Sequence, residues 1–146
     1  MKNIFVDCDI LLDVGLKREP FCHASSKLLD YLESHPNTGF IAWHSISNVF
    51  YIFSKATTKE EAKNFILELC QFIQIVPTSN PEVLYAASLP MTDFEDALQC
   101  AAALTCGADM IVTRNIEDYQ LSPIKAVTPT QILHDLQTNQ TPSKNE

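Results

Sequence analysis

Three clusters of acidic and amide side chains in this sequence could do chemistry. The first is Asp7-Cys8-Asp9, with Asp13 close behind, which interrupts an apolar run beginning at Asn3. A carboxylate at the end of an apolar strand is costly to desolvate unless it is paired or binds a cation. Asp9 reads equally as the N-cap of a short helix or as a metal-ligating side chain. Asp13 reads more readily as structural. The second cluster is Thr92-Asp93-Phe94-Glu95-Asp96. Thr92 and Glu95 match a capping box, which alone accounts for Glu95, and Asp93 is a further capping candidate. Asp96 is needed for neither role and falls in a first helical turn, where the macrodipole favours an anion. The third is Thr113-Arg114-Asn115-Ile116-Glu117-Asp118-Tyr119, directly after an apolar run. A turn explains Asn115, and solvated loop charge explains Asp118. Each cluster alone has a bland explanation. Jointly they supply carboxylates of the kind that hold a hard cation by oxygen ligation. Such a cation activates water, neutralises phosphate and orients in-line attack on a phosphodiester.

Strands and helices must bring these clusters together. Hydrophobic patterning predicts strands over Asn3–Cys8, Phe40–Trp43, Phe72–Val76, Asp109–Thr113 and Ile124–Val127. It predicts helices over Cys22–His35, Ile46–Lys55, Lys59–Cys70, Pro81–Ser88, Phe94–Cys106 and Pro129–Gln137. Pro81 suits the first turn of its helix, and Gly107 suits the C′ position after the Ala-rich one. Alternating strands and helices predict an α/β fold, three layers α/β/α around a largely parallel central sheet. Ligands of such sheets bind beyond the carboxyl ends of the strands, at a topological switch point. Asp7, Asp9, Thr113, Arg114 and Asn115 fall at such strand ends. Residues 1–137 are expected to form one domain, and 138–146 (TNQTPSKNE) a polar, disordered tail.

The chain has 146 residues, 46% of them hydrophobic. That is the size of one domain with a core of its own. No apolar run approaches the roughly 20 residues of a membrane span, so no membrane association is expected. Nor does the opening Met1-Lys2-Asn3 read as a signal peptide. The five cysteines lack CxxC or CxH spacing and are expected to be buried free thiols in a reducing cytosol. His23, His35, His44 and His134 lack partners at zinc spacing and are expected to be solvated or capping. Neither Ser45, Ser47 nor Cys100 sits in a nucleophile motif. The net charge of −8 excludes a generic nucleic-acid binder, which shows a basic patch. Seven of the 18 acids, however, are candidates to line or flank one pocket (Asp7, Asp9, Asp13, Asp93, Glu95, Asp96, Asp118). A pocket built from them would attract a polyanion only once a cation is bound.

Asp7 in an N-terminal strand, Asp93-Phe94-Glu95-Asp96-Ala97 opening a helix, and Ile111-Val112-Thr113-Arg114-Asn115 followed by Asp118-Tyr119 resemble the signature of PIN domains. The resemblance covers roughly residues 1–137. PIN domains are compact metal-dependent nucleases, many of them VapC-type toxins of toxin–antitoxin pairs. The resemblance implies hydrolysis of single-stranded RNA with Mg²⁺ or Mn²⁺ in an acidic pocket. It assigns the catalytic and metal-holding roles to Asp7, Asp96 and Asp118, and polar pocket positions to Thr113 and Asn115. It also implies an antitoxin partner and a homodimer. One position departs from the pattern: Asn48 stands where the family usually has a Glu. Its amide oxygen still coordinates or holds a water ligand, but without charge. Asp9, where the family usually has Asn or Ser, is expected to restore part of that charge. Asp93 joins the pocket polar set. Arg114 reads equally as a phosphate contact or as a salt bridge with Glu117 or Asp118.

Two other functions compete. A catalytically degenerate PIN scaffold acting as a binding module takes its support from Asn48. A haloacid-dehalogenase-type phosphatase takes its support from Phe5-Val6-Asp7-Cys8-Asp9, but the placement of the later clusters fits it poorly. The aromatics of Phe50–Phe53 are expected to pack. Lys55, Lys59 and Lys63 are expected to form a solvated face. The apolar surface around Ile46–Phe53 is explained by core burial or by a second copy of the chain.

Overall fold

The structure, a computed structural model, describes residues 2–140. Five short strands form one parallel sheet: β1 (Ile4–Val6), β2 (Gly39–Ala42), β3 (Ile73–Val76), β4 (Met110–Val112) and β5 (Ala126–Val127), in the order β3-β2-β1-β4-β5. The chain winds outward from β1 in one direction, then restarts beside β1 with β4. The C-terminal ends of β1 and β4 therefore meet at the switch point, where a crevice forms.

Seven helices cover the sheet: α1 (Cys8–Gly15), α2 (Cys22–Ser34), α3 (Trp43–Ala56), α4 (Lys59–Leu69), α5 (Asn80–Ser88), α6 (Phe94–Thr105) and α7 (Pro129–Gln140). Side chains alternate across a strand, and β1 shows the result. Ile4 and Val6 pack with Leu11, Leu28, Val49, Phe53, Ala62 and Ile132 from α1–α4 and α7. Phe5 packs on the other face with Cys100, Ala102 and Ala103 of α6, and α5 lies against α6 through Ala86 and Ala101. This is the expected three-layer α/β/α arrangement.

Several boundaries differ from expectation for physical reasons. Cys8 is not in the first strand, because Asp7 caps α1 and Cys8 opens it. The cap of α1 is thus Asp7, not Asp9, which lies in the first turn. Likewise Trp43 opens α3 instead of ending β2, and its ring is exposed. Asp93, not Thr92, caps α6, accepting from the Asp96 N–H at 3.1 Å. α6 ends in a Schellman motif: Gly107 has φ +67°, its N–H reaches Leu104 O at 3.1 Å, and Ala108 N–H reaches Ala103 O at 2.9 Å. α7 runs on through 138–140, so the expected tail does not start at 138; residues 141–146 lie outside those described.

All five cysteines are free, but only Cys8 and Cys100 are buried; Cys70 is exposed. His44 is half-buried and its Nε2 has no hydrogen-bond partner, so it is neither solvated nor capping. Burial holds its pKa below the usual range. Of the aromatic stretch, Phe53 is core and Phe50 packs on it, while Tyr51 and Ile52 are exposed. Lys55, Lys59 and Lys63 are exposed as expected, with Lys55 Nζ 2.6 Å from the Tyr51 hydroxyl. No described helix is long and apolar enough to cross a membrane.

Candidate active site

Asp7 is placed by two elements. It leaves β1 with its N–H bonded to Val112 O of β4 at 2.9 Å. Its Oδ1 then accepts the Asp9 N–H at 3.4 Å as it caps α1. The carboxylate is buried, and buried carboxylates need donors. Thr113 Oγ1 donates to Oδ2 at 2.7 Å, and Gln99 Nε2 donates to Oδ1 at 3.2 Å. Thr113 is itself oriented by the Asn115 N–H at 3.1 Å. Asn115 thus contributes through its backbone.

Asp96 enters from α6 in its first turn. The Tyr119 hydroxyl lies between the two acids, 3.2 Å from Asp96 Oδ1 and 3.4 Å from Asp7 Oδ2, and accepts from Gln99 Nε2 at 3.1 Å. Gln99 sits one turn below Asp96 on the same helix face. Tyr119 closes the 3₁₀ turn Ile116–Tyr119 after β4. The core of the site is therefore Asp7, Asp96, Thr113, Gln99 and Tyr119.

Further negative charge lies around this core. Desolvation, then the carboxylates of Asp93, Asp7 and Asp118, push Asp96 up to about 7. Burial, followed by repulsion from Asp9, raises Asp7, against the lowering by the Thr113 hydrogen bond. Glu95 is raised by desolvation and then by Asp93, Asp7 and Asp9. Asn48 Nδ2 donates to Glu95 Oε1 at 2.9 Å. Asn48 of α3 thus faces the site through an acid of α6.

The sequence candidates separate accordingly. Asp7, Asp96, Thr113 and the Asn115 backbone join one network. Asp93 caps α6 beside it, and Asp9 is half-buried at the start of α1. Asp118 is exposed on the rim, felt at Asp96 only as a charge. Arg114 contacts neither Glu117 nor Asp118. Its Nε lies 3.0 Å from Asp13 Oδ2, and its guanidinium covers the Phe21 ring at 4.3 Å. Asp13 is fully buried and also pairs with Arg18 at 3.7 Å, so its role is structural. Gln99, Tyr119 and Glu95 are the site residues that sequence reasoning passed over.

Hard oxygen donors, clustered negative charge and no ion pair to Asp7, Asp96 or Glu95 among the described residues suit a divalent cation. Beside Asp7, the buried Gln99 Oε1 lacks a hydrogen-bond partner. Among the described residues no three His, Cys, Asp or Glu side chains stand together as a finished cage. Mg²⁺ needs none, since it is held by one or two carboxylates with several waters kept. The donor set fits.

The family model described as PIN domain matches residues 3–117. The chain belongs to the PIN domain family. PIN nucleases generally use divalent metals, and the match removes the phosphatase alternative. The fold is similar to that of VapBC2 from Rickettsia felis, bound to a promoter DNA fragment, at 19% identity and TM-score 0.68, covering 86% of this chain and 97% of that one. A toxin–antitoxin complex from Klebsiella pneumoniae is similar at 21% identity and TM-score 0.66, covering 87% and 98%. The Mycobacterium tuberculosis toxin VapC20, titled as cleaving the sarcin–ricin loop, is similar at 15% identity and TM-score 0.61, covering 75% and 87%. No curated protein matches the chain.

Proposed function

We propose that this PIN domain is a VapC-type toxin, a metal-dependent ribonuclease that hydrolyses phosphodiester bonds of single-stranded RNA. The observation that carries the reading is the convergence of Asp7 and Asp96 on one tyrosine hydroxyl at the sheet's switch point. Asp7 and Asp96 would hold Mg²⁺ or Mn²⁺, with Asp118 and Asp9 as outer acids. A bound divalent ion lowers the pKa of water, neutralises phosphate charge and orients in-line attack.

This chain's own residues prepare that chemistry. Thr113 and Gln99 hold the Asp7 carboxylate in place. Tyr119 fixes Asp96 Oδ1 in the same way. Asp96, raised to about 7 by desolvation and the neighbouring carboxylates, gives up its proton readily when a cation binds. The Asn48–Glu95 hydrogen bond brings a carboxylate to the mouth where position 48 itself has none. Glu95 therefore offsets the departure at Asn48 and weighs against the inactive-scaffold reading.

A protein antitoxin is the proposed partner, by analogy with the Rickettsia and Klebsiella complexes. A homodimer and the cytoplasm, where RNA is found and thiols stay reduced, complete the proposal. The test is cleavage of single-stranded RNA with Mn²⁺ or Mg²⁺. Activity is expected in the unaltered chain, abolished by chelator and by Asp7→Asn. Equal activity in Asp7→Asn, or none in the unaltered chain with either metal, refutes the reading.

A further inference from the structure

Arg114 follows Thr113 directly, yet its side chain packs away from the acids, on Asp13 and Phe21. A cavity of about 250 Å³ opens beside it. Phe21 and Pro129 give it apolar walls, and Ser25, Arg114, Thr128 and Thr130 line it with polar groups. Three independent features there favour an anion. Arg114 and Arg18 both pair with the single carboxylate of Asp13, so Asp13 alone does not neutralise them. The twelve-residue α7 begins at Pro129 beside the cavity; Thr128 Oγ1 already caps the Gln131 N–H at 3.2 Å, so what the helix start offers an anion is its dipole. Ser25 Oγ is fully buried and makes no hydrogen bond, a cost that a bound acceptor would remove.

We propose that this cavity is a phosphate subsite for the RNA strand, holding a phosphate other than the scissile one. The inference rests on the ribonuclease reading. Arg114 and the Ser25 hydroxyl donate to the phosphate oxygens, and the ring of Phe21 offers a surface to the attached sugar or base. RNA is favoured over other anions by position. Thr113, which holds Asp7, and Arg114, which lines the cavity, are consecutive residues at the end of β4.

The test uses uridine 5′-monophosphate as the probe, titrated calorimetrically into the metal-stripped protein in chelator. Removing Arg114 leaves the buried Asp13 short of charge, so the informative variants lie elsewhere. Thr130→Glu adds an acid at an exposed position in the first turn of α7, where the helix itself tolerates one. It is expected to weaken binding about tenfold or more with the melting temperature retained. Ser25→Ala is expected to weaken it severalfold. Unchanged binding in Thr130→Glu overturns the proposal. So does binding that appears only with Mn²⁺ and vanishes in Asp96→Asn, because the acidic centre is then the sole site. Binding of a short peptide through its terminal carboxylate, with none of the nucleotide, also overturns it. RNA cleavage without nucleotide binding in chelator refutes the subsite alone. Nucleotide binding without metal-dependent cleavage refutes the ribonuclease reading and with it the assignment to RNA.

Discussion

Replacing Asp96 by Asn is expected to stabilise the metal-free protein while abolishing its response to metal. The carboxyl is raised from 3.8 to about 7, first by desolvation and then by Asp93 and Asp7. The folded chain therefore binds more protons than the unfolded one between those values. Stability falls as pH rises through that window, and the deficit is complete above about pH 7. Taken at face value the difference is worth roughly 4 kcal/mol. Solvent around this partly exposed group screens it to about 2 kcal/mol. Asn keeps an oxygen for the Tyr119 hydroxyl but loses roughly 0.3–1 kcal/mol of favourable interaction with the N-terminus of α6. The net gain is about 1–2 kcal/mol at pH 8, or a melting temperature higher by roughly 3–6 °C for a domain of this size. At pH 4 the gain should vanish. The assay is thermal unfolding in chelator at both pH values, repeated with Mn²⁺. The unaltered chain should gain stability from Mn²⁺ and Asp96→Asn should not. An Asp96→Asn protein that is no more stable at pH 8, or one that Mn²⁺ still stabilises fully, refutes the electrostatic reasoning.

Arg114→Met should destabilise the fold by about 3–5 kcal/mol in urea unfolding, because it strips a buried carboxylate of its nearer partner; the double variant with Asp13→Asn should recover much of this. Glu95→Gln and Asp9→Asn should each weaken Mn²⁺ binding severalfold by calorimetry, through lost negative charge. Unchanged affinity in Asp9→Asn would sink the idea that it offsets Asn48. Gly107→Ala meets open space but keeps φ at +67°, so a loss of roughly 1 kcal/mol is expected from strain alone, less for Gly107→Asn.

Periodicity makes the five strands and six of the seven described helices legible to within a few residues, because buried apolar runs and amphipathic faces leave repeating marks; it misses the short α1. Boundaries were lost where one residue serves two elements. Asp7 ends β1 and caps α1, so the strand was read too long and the cap misplaced. Asp7, Asp96 and Thr113 were visible because polar groups at strand ends and helix starts stand out locally. Gln99 was not, although a lone amide between Ala97-Leu98 and the apolar run Cys100–Ala103 is a faint signal that its side chain is partnered. Tyr119 stands in the third cluster with no role of its own, and Glu95 is explained in the second by a capping box with Thr92, whereas Asp93 is the residue that caps α6. The Arg114–Asp13 pair could not be read at all. It joins the start of the chain to the end of β4 through the topology of the sheet, and no local spacing encodes that.

The most direct measurement is an anomalous difference map from crystals soaked in Mn²⁺. The expected result is a peak between the carboxylates of Asp7 and Asp96 that is absent from Asp96→Asn crystals. No peak at these acids, or one that persists without Asp96, would contradict the claim that they form a metal centre.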